Sequence, residues 1–245
     1  MRLPQEQNMN DIQNQIELNA LFEDLVPMAG KKVAVFLGRF NPPTKGHYEV
    51  INTLKKFIRE HKNLGLEANP ALVIIGGSKS DADKKRNPLS VEEREVFMKA
   101  SGKANGALFF SAPNAFAALA TLREKGYEPI AVAGGSDRLD SYLTILDKHF
   151  KTPDDKPIKH YGIKLERDEE AVETKKDEKE QGLEYALTHL VDTGEISTEH
   201  VSASLARYAV TQNKPDAFAK IVGLEAKPAL AKQMFNKIAS AMKGE

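Results

Sequence analysis

The sequence predicts an α/β fold built on a doubly wound parallel sheet, and three observations predict it. Short apolar runs alternate with segments of helical spacing. Several of these runs stop at glycines. The first of them, Val33-Ala-Val-Phe-Leu37, is apolar throughout, as a strand covered on both faces must be. Strand and helix in alternation make right-handed β-α-β units, whose ligands bind beyond the carboxyl ends of the strands.

The elements follow in chain order. Residues 1–29 are rich in Gln, Asn and acids, and Ile12, Ile16, Leu18, Leu21, Phe22 and Leu25 form an apolar stripe of approximately helical period. They predict a helical arm over 1–30 that docks either on its own core or on another chain, another copy included. After the first strand, Pro42 and Pro43 fix two φ angles and remove two donors, so the connection is stiff. Val50, Ile51, Leu54 and Phe57 predict a helix over 48–61. Ala71 to Ile75 reads as a second strand ending at Gly76 and Gly77, and a helix over 90–101 opens with Ser90 and Glu93 placed for a capping box. Ala107 to Phe110 reads as a third strand, Asn114 to Lys125 as an alanine-rich helix, and Pro129 to Ala133 as a fourth strand running into Gly134 and Gly135. The dense mixture of Glu, Asp, Lys and Arg over 164–181 predicts a solvated helix or loop within a charged insert at about 150–200. Phe218, Ile221, Leu224, Leu230, Met234, Phe235, Ile238 and Met242 predict two helices over the sheet edge. The expected organisation is thus an arm over 1–30, a main domain over 31–210 and a helical extension over 211–245.

Composition narrows the function. In 245 residues, 35 basic and 35 acidic side chains cancel, so no global field points to nucleic acid or to a membrane surface. The absence of cysteine excludes disulfides, thiol catalysis and thiolate metal sites. No apolar run approaches the roughly 18 residues of a membrane span, and the chain opens without a basic-then-apolar leader. The expectation is a cytoplasmic protein with no membrane and no nucleic-acid partner.

Four segments carry chemistry. Gly38-Arg-Phe-Asn-Pro-Pro-Thr-Lys-Gly-His47 turns a buried strand into a helix, so free amides and the positive dipole end face an anion beside Thr44 and His47. Gly46 lets the backbone approach a bound group; the plainer reading has His47 only capping or packing. In Val201-Ser-Ala-Ser-Leu-Ala-Arg207, Ser202 or Ser204 can cap a helix, and Arg207, one turn in, can grip two phosphate oxygens with its planar fork. In Ile130-Ala-Val-Ala-Gly-Gly-Ser-Asp-Arg-Leu139, Asp137 either binds a sugar or base edge or closes a turn, while Arg138 is placed to touch phosphate or a second substrate. In Asn87-Pro-Leu-Ser-Val-Glu-Glu-Arg94, Arg94 is either structural or a ligand.

These segments resemble the nucleotidyltransferases with an H/T-x-G-H signature, written here Thr44-Lys45-Gly46-His47. Val201 to Arg207 is similar to their I-S-S-T-x-I-R signature, with Ala203 in place of a serine and Ala206 in place of a larger aliphatic residue. Asp137 resembles their G-x-D loop, and Asn87 to Arg94 the N-P-[FL]-[ST]-x-x-E-R segment of some members. The resemblance implies a Rossmann-like sheet and transfer of a nucleotidyl group, adenylyl from ATP with CTP as the alternative donor, to a phosphorylated small-molecule acceptor with release of pyrophosphate. It implies Thr44, His47 and Arg207 as catalytic residues. Gly38, Arg39, Phe40, Asn41, Gly46, Gly135, Asp137, Arg138, Ser202 and Ser204 would line the nucleotide, and Mg2+ would arrive on the triphosphate with no protein metal site. The order of motifs and the helical tail resemble most the nucleotidyltransferase-like proteins of tailed bacteriophages, which would place the chain in the host cytoplasm or in a virion. A second reading is a non-catalytic binding or structural protein on the same fold. The arm, the insert and Ala203 favour it, and the intact His47 and Arg207 oppose it.

Overall fold

The computed structural model describes residues 30–76, 82–151, 156, 158–165, 176–196 and 201–244, so the arm over 1–29 lies outside the described residues. Five parallel strands form one sheet in the order β3-β2-β1-β4-β5. They are β1 (Lys31–Gly38), β2 (Ala71–Ile75), β3 (Leu108–Ala112), β4 (Tyr127–Gly135) and β5 (Tyr161–Leu165). The helices are α1 (Lys45–Glu60), α2 (Val91–Ser101), α3 (Ala115–Glu124), α4 (Ser136–His149), α5 (Lys176–Thr193), α6 (Ala203–Thr211), α7 (Pro215–Ile221) and α8 (Pro228–Lys243).

The continuous apolar run of β1 is explained by burial on both sides. Val33, Val35 and Leu37 pack with Leu119 and Leu122 of α3 and Leu146 of α4. Ala34 and Phe36 point the other way, to Ile51 and Leu54 of α1 and Met98 of α2. From β1 the chain winds outward to β2 and β3, then crosses back to β4 on the other side of β1. The switch point therefore lies between β1 and β4, where an open α/β sheet holds its ligand. Pairing of Phe36 with Ala133 sets Gly134 and Gly135 beside the end of β1.

Three features differ from the sequence reading. A fifth strand pairs with β4 from Ala131–Tyr161 to Gly135–Leu165, where the sequence reading extends the charged insert. It is a five-residue edge strand whose Gly162 packs closely on α4: a Cβ there would lie 3.0 Å from Leu143 Cδ1 and 3.1 Å from Leu139 Cδ2. Next, β4 runs directly into α4, whose Leu139, Tyr142 and Leu146 form a buried helical stripe. The tail, finally, does make two helices, but they dock on other helices rather than on the sheet edge. Phe218 and Ile221 of α7 and Met234 and Ile238 of α8 join Leu187 and Leu190 of α5, Leu205 and Ala209 of α6 and Phe97 of α2 in one cluster that contains no strand residue. Lys237 Nζ reaches Glu93 Oε1 at 2.9 Å, and Lys227 Nζ donates to the Ala100 carbonyl at 2.8 Å. Both contacts tie α8 and its approach to α2. Among the described residues no helix is long and apolar enough to cross a membrane.

Candidate functional site

The loop after β1 is held from beneath. Phe40 has φ 51° and is fully buried, a left-handed conformation that costs a bulky residue on the order of 1–3 kcal/mol. Its ring is locked edge-on against Phe36 and His47, with 5.1 Å between centroids in each pair. A Cβ on Gly38 would lie 2.8 Å from that ring, so the bare backbone of Gly38 is used by Phe40. Asn41 is buried too. Its Nδ2 donates to the Leu89 carbonyl at 2.9 Å and its Oδ1 accepts the Leu89 amide at 3.1 Å, which latches the loop to the segment before α2. Gly38, Phe40 and the Asn41 side chain thus build the loop and set the height of the His47 ring.

Arg94 closes the same scaffold. The side chain has 0 % exposure. Nη1 donates to the carbonyls of Arg39 and Ile75, both at 2.8 Å, and Nε to those of Leu89 and Ser90 at 3.1 and 3.0 Å. The ends of β1 and β2 and the entrance of α2 are therefore tied by one planar group, which supports the structural reading of Arg94. The Ser90–Glu93 capping box forms as the spacing predicts, with Glu93 N donating to Ser90 Oγ at 3.2 Å and Ser90 N to Glu93 Oε2 at 2.9 Å.

Two helix entrances converge above this scaffold. Thr44, buried and extended, is the N-cap of α1. Its N–H donates to His47 Nδ1 at 2.9 Å, and its Oγ1 lies 2.8 Å from the same nitrogen. A nitrogen that accepts a main-chain N–H is unprotonated, so the neutral ring carries its hydrogen on Nε2 and presents a donor suited to a phosphate oxygen. The capping contact thus uses one of the two nitrogens of the ring. At the second entrance, Ser202 is the N-cap of α6 and accepts the Leu205 amide at 3.0 Å. A Cβ on Gly46 would lie 3.7 Å from the Val201 carbonyl, which places the start of α6 against the first turn of α1.

Arg207 joins the two entrances. Nη1 donates to the Asn41 carbonyl at 2.5 Å and Nη2 to Ser204 Oγ at 3.2 Å. Burial pushes its pKa down to about 10, the positive charges of Arg86 and Arg39 add to that, and Asp83 opposes it. The Arg207 guanidinium thus sits buried in the field of two further cations. On the far side of the switch point the strand runs into Gly134 and Gly135 as expected, Gly135 caps α4, and Asp137 falls in that helix's first turn. Arg138 is exposed on the same turn.

The strand, loop and helix just described lie inside a recognised family segment. Residues 35–151 match the cytidylyltransferase-like family. A comparison with curated proteins gives no match. The cytidylyltransferase-like segment runs from β1 to the end of α4 and so contains the phosphate loop, Arg94 and the Gly135–Arg138 turn. This likeness agrees with the Rossmann-like sheet. Ser202, Ser204 and Arg207 lie beyond it in sequence, yet the fold returns them to its phosphate loop.

Sequence reasoning missed Arg86. It lies inside the cytidylyltransferase-like segment but outside every motif, and the balanced total charge hides it. The visible signal was Lys84-Lys85-Arg86, a basic run directly before Asn87-Pro-Leu-Ser90.

Proposed function

We propose that this protein transfers a nucleotidyl group, adenylyl from ATP, to a phosphate-bearing small-molecule acceptor and releases pyrophosphate. The observation that carries this reading is the meeting of two helix entrances at one loop: the Thr44 amide donates to His47 Nδ1 at the start of α1, and Arg207 of α6 donates to the Asn41 carbonyl three residues before Thr44. An acceptor phosphate oxygen attacks the α-phosphorus in line. The new P–O bond forms as the bond to the bridging oxygen of the leaving pyrophosphate breaks, and that oxygen keeps the electron pair. The protein supplies orientation and donors for charge that moves outward in the transition state. His47 and the first amides of α1 serve the reacting phosphate, and Arg207 with the start of α6 serves the phosphates beyond it. Asp137 and Arg138 are assigned to the nucleoside and acceptor side.

The residues do not fit a resident Mg2+ cage. The site offers guanidinium and imidazole N–H donors, which match phosphate oxygens, whereas Mg2+ takes oxygen ligands. Magnesium would arrive only as part of the nucleotide substrate.

The test is pyrophosphate release from ATP and, in parallel, CTP with magnesium and a panel of phosphorylated acceptors. Release with ATP supports the reading as stated, and release with CTP alone moves it to cytidylyl transfer. Nucleotide binding without release for every acceptor favours the non-catalytic alternative, for which Ala203 at the first position of α6, in place of the motif's serine, is the specific observation.

Gly46 gives a second check. Its φ is outside the left-handed region, and a Cβ would make only ordinary contacts at 3.7 and 3.9 Å. Neither backbone nor packing requires glycine, and alanine is the better helix former by up to about 1 kcal/mol. Gly46→Ala is expected to melt at or above the wild-type temperature while ATP affinity measured by calorimetry falls at least about tenfold, because the methyl group occupies the approach to the helix amides. Unchanged affinity would move the phosphate away from α1.

A further inference from the structure

The central strand β1 is covered on both faces, and the edge strand β5 on one. Behind the sheet lie α3 and α4, and α4 reaches β5, where Leu139 and Leu143 close on Gly162. The front cluster draws its helix residues from α1 and α2, which connect β1 to β2 and β2 to β3 and so lie toward the opposite edge. Tyr161 and Ile163 of β5 point to this front and stay half-buried, beside Phe57 near the end of α1. Phe57 stacks on His61 with 4.1 Å between centroids, its ring lies 6.0 Å from that of Tyr161, and Lys159 Nζ sits 5.1 Å from the Tyr161 ring. A parallel sheet is stable with both faces buried, so this apolar strip calls for a cover.

The chain supplies one. Residues 1–29 join the sheet at Gly30, beside the start of β4, where Lys31 N donates to the Gly126 carbonyl at 2.8 Å. Tyr161 is in register with Ala131, and Ala131 with Ala34. Two strand spacings across and the rise from Gly30 to Ala34 along the sheet come to about 16 Å. The links from Leu25 to Gly30 span up to about 17 Å. The strip is therefore within reach. Leu18, Leu21, Phe22 and Leu25 stand at i, i+3, i+4 and i+7, one helical stripe, with Glu17 and Asp24 together on one flank of it. Charge agrees with this. Residues 1–29 carry Glu6, Asp11, Glu17, Glu23 and Asp24 against Arg2. At this end of the sheet Lys31, Lys32, Arg59 and Lys159 are exposed, and Glu60 is answered by Lys56 at 3.8 Å. The segment that follows β5, residues 166–175, leaves from the other end of the strand, and its apolar residues Ala171 and Val172 make no stripe.

We propose that residues 12–25 form an amphipathic helix that docks on the front of β5 in its own chain, with Leu21 and Phe22 against Tyr161, Ile163 and Phe57 and the acidic flank toward Lys32 and Lys159. The helix completes the second layer of the sheet at the end away from the phosphate loop. The chain has neither cysteine nor tryptophan, so one introduced indole reports on one place. In the full chain, Phe22→Trp should emit at the short wavelength of a buried indole at every protein concentration. Adding Leu18→Ser and Leu25→Ser, which alter the arm alone, should shift the emission to that of an exposed indole. The same pair should speed amide exchange over Tyr161–Leu165 at least about tenfold and leave Val33–Leu37 unchanged. Tyr161→Lys should also expose the indole, whereas Tyr185→Lys, at an exposed position of α5, should not. Exposed-indole emission from Phe22→Trp itself overturns the proposal, and so does β5 exchange that the serine pair leaves unchanged. A short-wavelength shift that appears only as the protein is concentrated gives the arm to a second copy and overturns it as well.

Discussion

His47→Ala is expected to slow pyrophosphate release about a hundredfold to a thousandfold, or about 2.7–4 kcal/mol of transition-state stabilisation, while the fold survives. The magnitude is that of one preorganised donor removed from a site of developing negative charge. Two consequences of the substitution have to be separated, because the ring does two things. The Thr44 amide loses its acceptor at Nδ1, which costs about 1 kcal/mol of stability, as loss of a helix cap does. The reacting phosphate loses the Nε2 hydrogen, which costs rate. His47→Gln tells them apart, since glutamine at the third helical position is a usual partner for the N-cap amide. It is expected to recover the stability and not the rate. Arg207→Ala should lose a comparable factor in rate, together with its contact to the Asn41 carbonyl. Equal turnover in the wild type and in both alanine variants would reject this site.

How far these groups were legible in the sequence depends on how local their causes are. The run Val33 to Leu37 and the Thr44-to-His47 helix entrance were readable because strand burial, the N-cap and the capping contact all involve neighbours in sequence. The caps Ser90 and Ser202 were readable for the same reason. The packing reason for Gly38 is not legible, because it is a ring two residues on, in a left-handed conformation that no pattern announces. Asn41 and Arg207 meet across 166 positions, so the contact exists only once the sheet is wound. β5 escaped because an edge strand of five residues with a glycine offers too little alternation against a charged background. The α4 stripe at Leu139, Tyr142 and Leu146 was present in the sequence and was masked by the glycine-acid pattern just before it. The docking of the tail was not encoded in the tail: its apolar spacing specifies helices, while Phe97 and the α6 residues specify what they cover.

Arg94→Ala is expected to lower stability by about 3–5 kcal/mol in urea denaturation, the range for truncating a large buried side chain. Four hydrogen bonds vanish together, and the carbonyls of Arg39, Ile75, Leu89 and Ser90 all lose the donor that a single fork provides. The Leu89 carbonyl keeps Asn41 Nδ2 and the Ser90 carbonyl keeps the main-chain amide of residue 94, so the loss falls on the carbonyls of Arg39 and Ile75, at about 1–3 kcal/mol for a buried acceptor left unpaired, and the void adds to it. Arg94→Lys should recover only part of this, because an ammonium is a point donor and cannot span the ends of β1 and β2 and the entrance of α2 in one plane. The neighbouring backbone is shaped to the guanidinium: a Cβ on Gly76 would lie 2.7 Å from Arg94 Nη2 and 2.6 Å from Val91 Cγ2. Since Arg94 holds the carbonyl of Arg39, its loss loosens the phosphate loop at the residue that begins it. Nucleotide affinity should therefore fall in step with stability, and stabilising conditions should restore both. That pattern is the reverse of His47→Ala, where rate falls and the fold stays. An Arg94→Ala protein as stable as wild type but unable to bind nucleotide would show instead that the side chain reaches the ligand.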